Sequence, residues 1–254
     1  MRKVEQQSTH ADERGANGPS PIAPSQHGER EASAALGGTS LRRDEQGLAL
    51  VGDGMVLRGD FSQLLPRIRK GRLSNELLVR AAKVRDCAEP WAIDATAGLG
   101  EDSFLLAAAG FRVSMYESDP TIAALVRDAL NRAQANPNLA DIACRMELFE
   151  EDSIEAMSHL GDTPDVIYLD PMFPERRKSA AVKKKFQLIH HLEAPCQNEG
   201  ALLAAAISAG PRKVVVKRPA KGPHLAGVKP SHSLAGKAVR YDVIIPASIK
   251  VPLA

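Results

Sequence analysis

The sequence predicts an α/β fold built on a doubly wound, mostly parallel sheet, and three observations carry that expectation. Residues 91–103 read W-A-I-D-A-T-A-G-L-G-E-D-S, an apolar run, a glycine turn and the start of a helix-like stretch. Further short apolar runs follow it and alternate with segments of helical period, as in parallel strands joined by crossover helices. Acidic residues stand where these runs end, at Asp94, Glu117, Asp152 and Asp170, and such sheets gather their ligands at the carboxyl ends of the strands.

The glycine turn comes first because it decides the ligand class. Gly98 and Gly100 let the chain turn sharply and approach a ligand, while the helix that follows aims free N–H groups and a positive dipole end at it. A dinucleotide fingerprint requires a third glycine three residues after the second, and position 103 is Ser. Glu101 and Asp102 place two negative charges on the first helical turn, which suits the dipole and repels a pyrophosphate. A cofactor with a positive centre and no phosphate, such as S-adenosylmethionine, fits Asp94, Glu101 and Asp102. Nicotinamide dinucleotides do not.

The elements then follow in order. Residues 1–45 are rich in Gln, Ser, Gly, Pro, Glu and Arg without a hydrophobic period, the composition of a disordered tail. Residues 48–51 and 55–57 are apolar around Gly52-Asp53-Gly54, a hairpin appendage. Ser74 is placed to cap a helix over 75–84, with Leu77, Leu78, Ala81 and Ala82 at helical spacing. These segments set an N-terminal hairpin and helix, 46–84, before a main domain, 85–254. After the glycine turn, 111–116 reads as a strand ending at Glu117-Ser118, 23 residues beyond Asp94, where a nucleotide fold places an acceptor for ribose hydroxyls. Pro120 opens a helix to about 135. A third strand, 145–149, leads to Asp152-Ser153, which suit an adenine edge, an N-cap, or both.

The fourth strand, 166–169, runs into Asp170-Pro171-Met172-Phe173-Pro174. Proline ends the ladder, so the loop leaves over the carboxyl edge. Methylating an exocyclic amine is hard because the nitrogen lone pair is delocalised into the base. A carboxylate accepting an amine hydrogen localises that pair, and an aromatic ring holds the base by stacking. Asp170 and Phe173 supply these two groups. Positions 176–185 then hold six basic residues in ten, suited to phosphates flanking a target nucleotide. Residues 186–192 read as a helix in which His190 and His191 are ordinary members, 198–209 as an alanine-rich helix, 213–217 as a fifth strand, 219–236 as a loop and 241–245 as a last strand.

Bulk properties bound the function. Residues 170–254 carry 15 Lys or Arg against 5 Asp or Glu, and residues 1–169 carry 18 against 26. The last third is therefore the face for a polyanion. Cys87, Cys144 and Cys196 form neither a disulfide framework nor a zinc pattern, so a cytoplasmic protein with reduced thiols and no metal is expected. No apolar run approaches a membrane span and no secretory leader is visible.

The motifs D-A-T-A-G-L-G, Y-L-D-P-M-F-P, K-S-A-x-V-K-K and V-V-V-K-R-P, taken in order, resemble the ribosomal RNA small subunit methyltransferase J family. The resemblance covers about residues 85–245, weakens over 48–84 and is absent before 45. It implies a Rossmann-like class I S-adenosylmethionine methyltransferase fold. It also implies methylation of a guanine N2 amine in small-subunit (16S) ribosomal RNA, free or in the small ribosomal subunit. Cofactor contacts are implied at Glu101, Asp102, Glu117, Ser118, Asp152, Ser153 and Asp170. The family often has a basic residue where Glu101 stands, which points to a backbone contact there. An adenine-N6 or other amino methyltransferase on DNA or RNA is the alternative from the same fold, because loops of this type serve both bases. A non-catalytic binding protein is the third reading, and Asp170 with Phe173 speaks against it.

Overall fold

The computed structural model describes residues 39–52, 54–171 and 198–248. Its strands are β1 (Ser40–Asp44), β2 (Gly47–Gly52), β3 (Met55–Leu57), β4 (Trp91–Asp94), β5 (Arg112–Tyr116), β6 (Met146–Phe149), β7 (Val166–Leu169), β8 (Lys213–Pro219), β9 (His232–Ala235) and β10 (Val239–Ile244). The main described helices are α1 (Leu77–Ala82), α2 (Glu101–Ala108), α3 (Pro120–Gln134), α4 (Ser153–Ser158) and α5 (Glu199–Ser208).

The last seven strands form one sheet in the order β6-β5-β4-β7-β8-β10-β9. Pairings from β6 through β8 are parallel, whereas β10 runs antiparallel to β8 and β9. The chain winds outward from β4 through β5 to β6, then crosses to β7 on the other side. The order reverses between β4 and β7, and the crevice outside their carboxyl ends is where such sheets bind ligands. Insertion of the antiparallel β10 separates this sheet from the all-parallel six-strand dinucleotide order.

Alternation along each strand divides the core into two layers. Ala92, Val113, Met115, Val166, Tyr168, Val215, Tyr241 and Val243 pack on one face with Leu78, Phe104, Ile122 and Val126 from α1, α2 and α3. Ile93, Ile167, Leu169, Val214, Val216 and Ile244 pack on the other with Leu202, Leu203 and Ala206 of α5 and Met157 of α4. Strands covered on both faces become continuous apolar runs, which is why 166–169 and 214–216 are legible as strands.

Helix starts carry their own signals. Asp119 caps α3 by accepting from the Thr121 and Ile122 N–H groups at 2.8 and 2.9 Å, with Pro120 at the first helical position. Asn198 caps α5 through the Ala201 N–H at 2.8 Å.

The structure departs from the sequence-based expectations at three places. Ser40–Asp44, assigned to a disordered tail, is strand β1, paired antiparallel with β2. Its residues are exposed or half-buried, so it leaves no hydrophobic pattern to read. Backbone pairing and the Arg43–Asp128 ion pair hold it. Ser74 does not cap a helix over 75–84. It lies in a 3₁₀ turn, Leu73–Asn75, and α1 begins at Leu77 after Glu76 adopts extended backbone. Glu76 accepts from Arg67 at 2.9 and 2.8 Å. The stretch 219–236 contains strand β9, which adds to the edge of β10. The β2–β3 hairpin forms, joins β1 in a separate sheet of three strands and buries Leu50 and Leu57 against Leu125 of α3. Phe173, the basic run 176–185, the helix over 186–192 with His190 and His191, and Cys196 lie outside the described residues.

Candidate active site

The crevice at the β4/β7 switch point is lined by short, fixed polar contacts. Asp94 ends β4 but points inward. It is almost fully buried and accepts from the Thr96 N–H at 3.1 Å and the Ser103 hydroxyl at 2.5 Å. Burial pushes its carboxyl up to about 7, opposed by those two hydrogen bonds. Ser103 stands where a dinucleotide site has its third glycine, and here it ties α2 to the end of β4. Thr96 completes the corner, its Oγ1 accepting from the Asp170 N–H at 2.7 Å.

The two glycines serve different ends. Both have positive φ, +51° at Gly98 and +75° at Gly100, a conformation that favours glycine. A Cβ at Gly100 would come within 3.2 Å of the Phe61 ring, and Phe61 stacks on Phe104 with centroids 5.0 Å apart. That glycine makes room for protein. Gly98 has nothing within 4 Å of a Cβ, so its bare side faces open space.

Glu117, at the end of β5, is fixed by the turn it faces. Its two carboxylate oxygens accept from the Gly98 N–H at 3.0 Å and the Asp119 N–H at 2.8 Å. Burial raises its pKa, opposed by these backbone bonds. Each oxygen keeps a further lone pair to accept a hydroxyl. Ser118 and Glu101 are exposed on the rim. Asp152 caps α4 by accepting from the Ile154 and Glu155 N–H groups at 2.7 and 3.3 Å, with Ser153 half-buried beside it.

At the end of β7 the sheet register brings four elements together. Lys217 donates to Asp102 of α2 at 2.7 Å and to Asp170 at 2.8 Å, both through Oδ2. The Tyr168 hydroxyl donates to the same Asp102 oxygen at 2.6 Å. Tyr241 of β10 pairs in register with Lys217. Burial works against the Lys217 charge, yet Asp102 and Asp170 together hold its pKa above the ordinary lysine range. Asp170 is raised by burial and pulled back by Lys217, with Asp102 pushing it up again. Burial, then the nearby Asp102, keeps the Tyr168 and Tyr241 phenols protonated.

The structure therefore brings Gly98, Asp102, Glu117 and Asp170 into one crevice, with Asp94 buried behind it and Glu101, Ser118, Asp152 and Ser153 at its rim. Thr96, Tyr168, Lys217 and the linking role of Ser103 escaped sequence reasoning. Tyr168 and Asp170 share a strand face by period 2, and Val216 pairs with Leu169, which sets Lys217 level with Asp170. Only the strand order makes that signal readable.

The crevice is rich in carboxylate acceptors, which fit an adenosyl ribose and a cationic centre and oppose phosphate. Matching this, residues 39–246 fit the model of the family described as "Putative SAM-dependent methyltransferase". The ribosomal RNA small subunit methyltransferase J of Neisseria meningitidis serogroup C is 43% identical over 206 residues, covering 80% of this chain and 82% of that one. Its counterpart from Stutzerimonas stutzeri is 47% identical over 171 residues, 67% of this chain and 66% of that one. The crystal structure of a SAM-dependent methyltransferase from Neisseria gonorrhoeae superposes with a TM-score of 0.68 at 34% identity, covering 85% of this chain and 86% of that one.

Proposed function

Because this chain belongs to the ribosomal RNA small subunit methyltransferase J family of S-adenosylmethionine-dependent methyltransferases, we propose that it methylates the exocyclic N2 amine of a guanine in small-subunit ribosomal RNA. The observation that carries this reading is that Thr96 and Lys217 hold Asp170 at the end of β7, beside the switch point; we read it as the acceptor for the target amine.

When bound, S-adenosylmethionine supplies a methyl group activated by its sulfonium. The residues that would hold it are Glu117 at the ribose hydroxyls, the backbone around Gly98 and Gly100, Glu101 and Asp102 on the first turn of α2, Ser118, and Asp152 with Ser153 toward the adenine. Asp94 acts from behind, fixing the glycine turn through Thr96 and Ser103. Asp170 has Oδ2 committed to Lys217, leaving Oδ1 to accept one hydrogen of the amine. That contact localises the nitrogen lone pair and strengthens as the nitrogen gains positive charge, so it favours the transition state over the ground state. Phe173, three residues on, supplies the stacking ring for a base turned out of its helix. The basic run 176–185 supports a phosphate contact beside it.

Small-subunit RNA from cells lacking this protein, incubated with it and labelled S-adenosylmethionine, is expected to yield N2-methylguanosine on nucleoside mass analysis. N6-methyladenosine as the labelled product would replace this reading with the adenine one.

A further inference from the structure

The contact that the cofactor and base contacts leave unexplained is the bridge Asp102–Lys217–Asp170. One ammonium sits 2.7 Å from a carboxylate on α2 and 2.8 Å from another at the end of β7. The Tyr168 hydroxyl closes the cluster on Asp102. Asp102 is also placed on the cofactor's helix, so the lysine joins the cofactor side of the crevice to the amine side.

We propose that Lys217 is a positioning residue for methyl transfer: it clamps Asp170 by Oδ2, presents Oδ1 to the substrate amine, and keeps this carboxylate ionised beside Asp102. The proposal rests on the reading of Asp170 as the amine's acceptor. A neutral carboxylic acid cannot serve, since its hydroxyl would donate toward the amine and its carbonyl is a weaker acceptor.

The groups facing Asp170 decide the balance. From β8 come Lys217 and Arg218, both favouring its charge. From α2 comes Asp102, opposing it. The Asp94 carboxyl at the end of β4, Tyr168 on its own strand and Tyr241 on β10 are the other titratable groups facing it among the described residues. Partial burial of Asp170 and a carboxylate close by both favour the protonated acid. Among the described residues, Lys217 is the cation hydrogen-bonded to Asp170, while Arg218 donates to the Pro223 carbonyl at 2.8 Å and to Glu199 at 3.3 Å.

Single-turnover methyl transfer measured across pH tests this in wild type, Lys217→Met, Lys217→Arg and Asp102→Asn. In Lys217→Met the acid limb should move up by one pH unit or more, making the rate on that limb at least tenfold slower at equal pH. Lys217→Arg should return the limb toward the wild-type position. Asp102→Asn should move it the opposite way. A carboxyl ¹³C titration of Asp170, identified by its loss in Asp170→Asn, reads the same shift without RNA. An unmoved Asp170 titration in Lys217→Met overturns the clamp whatever the activity. A shifted titration in a protein inactive on ribosomal RNA sustains the clamp and removes the proposed substrate.

Discussion

Asp94 shows how a single side chain reports its surroundings. Its carboxyl titrates near 7 in the folded protein against an ordinary 3.8, burial being the main cause. The folded state therefore keeps a proton that the unfolded chain has released between those values. Its stabilising contribution is complete below about pH 4 and is lost as pH rises toward 7, at up to about 1.4 kcal/mol per pH unit. Asp94→Asn cannot ionise, so wild type should lose stability relative to this variant between about pH 5 and pH 7 in urea titrations without cofactor. A difference that does not change with pH contradicts the buried assignment. Glu117 is tested by affinity: Glu117→Ala should weaken S-adenosylmethionine binding in calorimetry by about 1–3 kcal/mol through lost charge-assisted hydrogen bonds, and unchanged affinity removes it from the site. At this scale the sequence was informative where a residue's place follows from a strand end, as with Glu117 after β5 and Asp170 after β7. It was silent on roles that need a distant partner. Ser103 reads only as a missing glycine until Asp94 is seen 2.5 Å away, and Lys217 reads as one more basic residue until β8 is known to lie beside β7.

The elements of the parallel sheet were legible because strands buried on both faces are written as short apolar runs between glycine, proline and capping residues. Those held by other means were not. Strand β1 is held by backbone pairing and by Arg43, whose guanidinium reaches Asp128 at 2.6 Å. The same Asp128 accepts from Arg132 at 2.8 Å and from the Leu48 N–H at 3.0 Å, so one carboxylate on α3 fastens the three-stranded sheet to the main body. Gly47 allows this closeness: it has φ of +107°, and a Cβ there would fall 2.5 Å from Asp128 Oδ2. Asp128→Ala should lower global stability by about 1–3 kcal/mol. It should also speed amide exchange across Gly47–Gly52 more than across Val166–Leu169. Equal acceleration in both segments would show that Asp128 is not the fastening point.

Across the whole sequence, acidic and basic residues are unevenly divided. The crevice gathers Asp102, Glu117 and Asp170, while residues 170–254 hold 15 basic residues against 5 acidic ones. The acidic crevice suits a cationic cofactor, and the basic excess of the last third of the sequence suits an RNA backbone. Replacing Lys183, Lys184 and Lys185 together by Ala should weaken RNA binding and flatten its dependence on log salt by about 0.7 per lost phosphate contact. Cofactor affinity should stay level, and an unchanged salt slope would return these lysines to solvated surface. The central claim is that Asp170 accepts a hydrogen of a guanine amine as the methyl is transferred. The direct measurement is the single-turnover rate of Asp170→Asn on small-subunit RNA at saturating S-adenosylmethionine, with the product nucleoside identified by mass. N2-methylguanosine should form at least about 10²-fold more slowly than in wild type, roughly 2.7 kcal/mol at the barrier, with a smaller change in RNA affinity. Wild-type turnover in Asp170→Asn would contradict it.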